Sequence, residues 1–269
     1  MKREIAYITF IDVLFLLLLS VSGMTEGVLS EIIYYLAFVI PISVGFLFIR
    51  MLRSDANISF KTDGQSAIKF IPLIFPAVTV IFSVSLLTTV IINSIGFTND
   101  AEINEPLLLA IILHALIPAV LEELLFRYIP LKLSLNHSPR WAVLLSALFF
   151  SLIHVNLFTI PYAFIAGVLF ALVDIMAGSI IPSVILHFIN NTLSVIFMMY
   201  FDETSWYWFF TGLLVLSAIS AAAIFARRKK YSGFFAPLTD AGEAKEFSLA
   251  PLSLIIITLA IAITNLFSK

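Results

Sequence analysis

Apolar residues run along this chain in long blocks separated by short polar breaks, without the strict alternation that barrel strands would show. A backbone inside lipid must satisfy its own hydrogen bonds, so blocks of this kind predict membrane-spanning helices. Nine are read, at Ala6–Met24, Glu31–Leu52, Phe70–Ile92, Pro106–Phe126, Trp141–His154, Phe158–Met176, Ser179–Tyr200, Trp206–Ala226 and Leu249–Phe267. Most approach the ~20 residues needed to cross the hydrocarbon core, and the fifth falls short. Lys2 and Arg3 ahead of an apolar stretch, with Ser20-Val21-Ser22 behind it, resemble a signal peptide, but Asp12 interrupts the run and favours a retained first span. The expected fold is all-α, a polytopic bundle of eight to nine helices forming one integral-membrane domain over residues 1–269. No internal repeat or low-complexity linker is visible.

Composition narrows the function. Hydrophobic residues make up 61% and charged residues 12% of the 269 positions, against about 45–50% and 25% in soluble domains. A sizeable soluble domain is thereby excluded. A net charge of −2 and a pI near 6.1 argue against a nucleic-acid partner. The chain has no cysteine, which removes disulfides, thiolate zinc sites and thiol nucleophiles.

Charge also divides the connections. Lys2/Arg3, Arg50/Arg53/Lys61, Lys132/Arg140 and Arg227-Arg228-Lys229-Lys230 fall on one side, and Glu26, Asp100/Glu102/Glu105 and Asp202/Glu203 on the other. The basic side is expected to be cytoplasmic. This places the N-terminus inside and Lys269 outside, in what is expected to be the cell membrane, with Tyr231–Ser248 as a cytoplasmic surface connection.

Ionisable groups within hydrocarbon are costly and therefore mark functional candidates. The densest group is Glu122-Glu123-Leu124-Leu125-Phe126-Arg127, followed by Phe150-Ser151-Leu152-Ile153-His154 and His187-Phe188-Ile189-Asn190-Asn191. On a helix Glu123 and Arg127 share a face and read as a structural ion pair, while Glu122 points elsewhere, about 100° around the axis. Unpaired in sequence and desolvated, Glu122 is suited to take a proton from water. His187 and Asn191 also share a face, where an imidazole and an amide can donate to a developing oxyanion. His154, ending a separate helix, can close the site opposite Glu122. Each group has a plainer reading: membrane histidines and Asn190 often bridge helices, and the Glu-Glu-Arg run suits an ion cluster at the membrane edge. His114 reads as core packing, and Asp12 and Asp174 as facing protein or the interface.

Taken together, these residues resemble the CPBP family of intramembrane proteases, which includes CAAX proteases and bacteriocin-processing enzymes and is also called the Abi family. Glu122-Glu123-x-x-x-Arg127, Phe150-x-x-x-His154 and His187-x-x-x-Asn191 match its three motifs in order, over a core of about residues 107–195. Many relatives have glycine after the motif arginine; this chain has Tyr128. The resemblance implies an intramembrane endopeptidase acting on membrane-associated peptides or proteins near the cytoplasmic face. Glu122 and His154 would activate water, with His187 and Asn191 as the oxyanion hole. Family members are often labelled metalloproteases, and Glu122, His154 and His187 would be the zinc ligands if metal were used. The absence of a His-Glu-x-x-His pair favours a mechanism without metal. Two other readings stay open: a non-enzymatic immunity or scaffold protein binding a peptide in the same cavity, and a small proton-coupled transporter.

Overall fold

The computed structural model describes residues 2–61, 64–97, 103–200, 205–240 and 250–267. Nine long helices account for most of them: α1 (Lys2–Gly23), α2 (Gly27–Leu52), α3 (Gly64–Ser94), α4 (Leu107–Ser134), α5 (Pro139–Leu152), α6 (Ile160–Ala177), α7 (Ile181–Tyr200), α8 (Ser205–Ala226) and α9 (Ala250–Phe267). Two four-residue helices, Arg228–Tyr231 and Ala236–Thr239, lie between α8 and α9. Seven helices among the described residues are long and apolar enough to cross a membrane, and α5 is a shorter apolar one. The protein is thus a polytopic helical bundle. Asp100, Glu102, Asp202, Glu203, Lys269 and the 241–248 part of the Tyr231–Ser248 connection lie outside the described residues.

Several boundaries differ from the hydrophobic pattern. Helix α4 runs to Ser134 rather than ending near Phe126, because the turns beyond Arg127 are enclosed by protein, with Ile129, Leu131 and Leu133 all buried. Helix α5 starts at Pro139, behind Ser138, whose hydroxyl accepts the Trp141 amide proton at 3.3 Å, and it stops at Leu152. His154 therefore stands in the turn after α5, not on the helix.

Helices α4 to α7 form the centre. Helix α5 packs on α6, α7 packs on α4 and α6, and α3 covers α6, α7 and α8. Helices α1 and α2 pair with each other and pack on the end of α4. The α5–α6 contact depends on Gly167, where an added Cβ would come 2.7 Å from the Ala147 Cα and 2.9 Å from its Cβ. Backbone cannot yield as a side-chain tip can. Gly167→Val is expected to destabilise the detergent-solubilised protein by about 1–3 kcal/mol, the usual cost of overpacking. Thermal unfolding checks this, and an unchanged midpoint would show that the two helices do not meet there.

One end of the bundle is tied by polar contacts between all the connections predicted on the basic side. His137 faces Glu4 at 3.7 Å, Asn136 donates to Asp55 at 2.6 Å, and the Arg140 amide donates to the Asp240 carbonyl at 3.1 Å. The segment between α2 and α3 lies across this end as a strap. The Lys132 ammonium donates to the Ala56 carbonyl at 2.5 Å, and the Ser54 hydroxyl donates to the Lys132 carbonyl. Ser59 exchanges backbone hydrogen bonds with the α6–α7 turn, to Gly178 at 3.0 Å and from Ile180 at 3.1 Å. Tyr128, the residue after the motif arginine, stacks on Phe60 of the strap at 4.2 Å.

Candidate active site

The backbone of α4 is irregular where its chemistry lies. Two five-residue π-helical stretches, Ile112–Leu116 and Leu124–Tyr128, interrupt it, one containing His114 and the other following Glu122 and Glu123 directly. Such wider turns shift the register of side chains and are common at functional sites. Here they carry both glutamates against α7.

The two acids meet on one imidazole. His187 Nδ1 lies 2.9 Å from Glu123 Oε1, and His187 Nε2 lies 3.8 Å from Glu122 Oε2. Glu122, without a partner in the local sequence, thus faces the ring that its neighbour anchors. The hydrogen bond to a carboxylate assigns a proton to Nδ1 and turns Nε2 towards Glu122. Phe150 and Phe170 flank the ring, at 5.5 and 5.4 Å between centroids.

Beneath this contact lies a closed polar layer. Glu123 and Arg127 are both fully buried, and Arg127 Nε stands 3.5 Å from Glu123 Oε2. The Arg127 Nη1 group donates to the Phe126 carbonyl at 3.1 Å and the Ser146 carbonyl at 3.4 Å, and the guanidinium lies 4.1 Å above the Phe150 ring. Asp174, also fully buried, accepts the Ser183 amide proton at 3.2 Å near the start of α7. The sequence reading had not tied Asp174 to this layer, although a buried acid in a span was the signal available. Asp12 likewise faces protein, on α1.

Above the layer is a cavity of about 420 Å³, within the range of small-ligand sites. Glu122, His154, His187 and Asn191 all line it, together with Asn190, Ser194 and Tyr162. His154 Nδ1 bonds the Phe150 carbonyl at 2.9 Å, leaving Nε2 as its other ring nitrogen. The next residue, Val155, has φ 47°, a left-handed conformation that costs a β-branched side chain about 1–3 kcal/mol. Such strain collects at functional turns. Asn190 Nδ2 donates to Asn191 Oδ1 at 3.3 Å.

His114 departs from the core-packing expectation. Its side chain is 45% exposed, lines the same cavity, and lies 3.5 Å from Glu105. The two-turn separation from Glu122 explains this, since a wall of the cavity runs along α4. As to metal, no three His, Asp or Glu side chains among the described residues gather closely enough to hold an ion. His187 Nδ1 is engaged by Glu123, and its Nε2 is turned towards Glu122 on the cavity side.

An acid and two imidazoles drawn from three separate segments thus line one polar cavity inside a bundle of membrane-length helices. Residues 104–193 match a family model described as type II CAAX prenyl endopeptidase Rce1-like. That stretch, about a third of the chain, reaches from just before α4 through most of α7 and contains all three motifs. The family supports an intramembrane endopeptidase in general and a CAAX-protease-type hydrolase in class. Neither curated proteins nor solved structures give a match.

Proposed function

We propose that the protein is an intramembrane endopeptidase in which Glu122 removes a proton from water while the cavity holds the scissile carbonyl. The observation that carries this reading is the meeting of Glu122, His154, His187 and Asn191 on one cavity from three separate segments. Glu122 is its available base: its carboxylate lines the cavity, whereas that of Glu123 is committed to His187 and Arg127. His154 presents Nε2 on the same cavity and positions the water with Glu122. His187, held by Glu123 through Nδ1, and Asn191, whose oxygen accepts from Asn190, are set to donate to the oxyanion. For His187 the donating nitrogen is Nε2, the one turned towards Glu122 and the cavity. The basic loops face the cytoplasm, as the charge bias of the connections directs.

The test is cleavage of a membrane-tethered reporter peptide by the purified, reconstituted protein. Cleavage is expected from the wild type and is expected to be lost in His154→Ala and His187→Ala variants that fold normally. Activity untouched by these changes would end the protease reading. Treatment with a chelator is expected to leave the rate unchanged, and a loss restored by zinc would replace the glutamate mechanism with a metal-dependent one.

A further inference from the structure

The cavity is not open equally to both faces of the bundle. Its wall residues come from helix ends on the side opposite the basic loops: Tyr34 early in α2, His114 early in α4, Tyr162 in the first turn of α6, and Met198 in the last turn of α7. Ile103, which precedes α4, also lines it. On the basic side the cavity ends at Glu123, Phe126, Arg127, Ser146, Asp174 and Ser183, each completely buried. Beyond them the strap of residues 54–60 closes that end through Lys132, Gly178 and Ile180. The geometry of α5 gives the same direction. Its 14 residues span about 21 Å, less than the ~30 Å hydrocarbon core. With its start tied to the basic end, its far end and the turn at 153–159 are recessed below the opposite surface. His154 stands at the bottom of that recess.

The open side has a definite charge. Among the described residues its connections, 24–26, 95–97, 103–106 and 153–159, hold the acids Glu26 and Glu105 and no lysine or arginine. One of the acids, Glu105, sits at the rim against His114. Its own backbone amide and then the His114 imidazole hold its carboxyl below the ordinary range, so the rim is anionic at neutral pH.

We infer that substrate reaches the site from the extracytoplasmic face, as a peptide segment presented at the outer leaflet with basic residues flanking the cleaved bond. This rests on the protease reading and reverses the sequence expectation of cleavage near the cytoplasmic face. The buried layer and strap leave the basic face without a path to Glu122, while the short α5 opens one from the other side. Peptides delivered across the membrane, rather than C-termini that remain in the cytoplasm, are the class that fits.

The absence of cysteine allows a direct test. In right-side-out vesicles, Ile103→Cys is expected to react with a membrane-impermeant maleimide, and Lys230→Cys only in inverted ones. The wild-type protein is then offered a tethered reporter peptide on one face at a time. Cleavage is expected only from the outer face, and about two- to fivefold faster at low salt with lysine than with glutamate flanks, the scale of an exposed charge contact. Labelling of Ile103→Cys only in inverted vesicles, or cleavage only from the inner face, would overturn the inference while the protease reading stands. Equal rates for the two flanks would overturn the basic substrate class. No cleavage from either face would remove the protease reading and this inference with it.

Discussion

Replacing Glu122 with glutamine is expected to reduce peptide hydrolysis about 10²–10⁴-fold, the usual contribution of a positioned general base. The side chain keeps its size and its place in the cavity wall, so packing is preserved. What changes is the ability to accept a proton from water. Glu122 has no structural carboxylate bond to lose beyond the 3.8 Å approach to His187, so the folded state should survive. Kinetics of reporter cleavage measure the effect, with thermal unfolding as the control. A variant that unfolded at the wild-type temperature and cleaved at the wild-type rate would remove Glu122 from the chemistry. In cells, uncut membrane peptides accumulating with this variant would name the substrate by mass spectrometry.

The second large effect concerns stability. Arg127→Met leaves Glu123 buried without its cationic partner, and removing one member of a buried pair costs about 3–5 kcal/mol. The guanidinium also loses its hydrogen bonds to the Phe126 and Ser146 carbonyls and its place over Phe150. Adding Glu123→Gln removes the orphaned charge, so the double variant is expected to be more stable than Arg127→Met alone. Denaturation of the two variants in the same detergent measures the difference. A double variant no more stable than Arg127→Met alone would mean that the two groups act independently. The double variant also replaces the carboxylate that anchors His187 with a neutral amide, so its catalytic loss is expected to exceed its stability loss.

The hydrophobic blocks were enough to locate all nine helices, because lipid demands long apolar segments and tolerates few polar ones. They revealed much less about how each helix is turned. Lipid tails are as apolar as a protein interior, so the pattern does not separate a lipid-facing leucine from a packed one. Leu108, largely exposed, and Leu131, completely buried, lie on the same helix and look alike in sequence. The four-residue spacing of Glu123 and Arg127 was legible because it is local. The capture of both glutamates by His187 was not, since it depends on α4 meeting α7 through a π-helical turn that no apolar pattern encodes. His114 was misread for the same reason. Tyr128 is another case: its stacking partner, Phe60, lies in the strap, 68 positions away in sequence. The side from which the cavity opens required the recessed end of α5 and the closed polar layer to be seen together.

The central claim is that water, activated by Glu122, attacks the peptide carbonyl directly. A single turnover of the reconstituted protein in ¹⁸O-labelled water tests it, with mass spectrometry of both the product peptide and the protein. Direct attack places one ¹⁸O in the new carboxyl terminus at the first turnover and none in Glu122. An unlabelled first product together with ¹⁸O in the Glu122 side chain would show that the glutamate attacks the substrate itself, and would contradict the account.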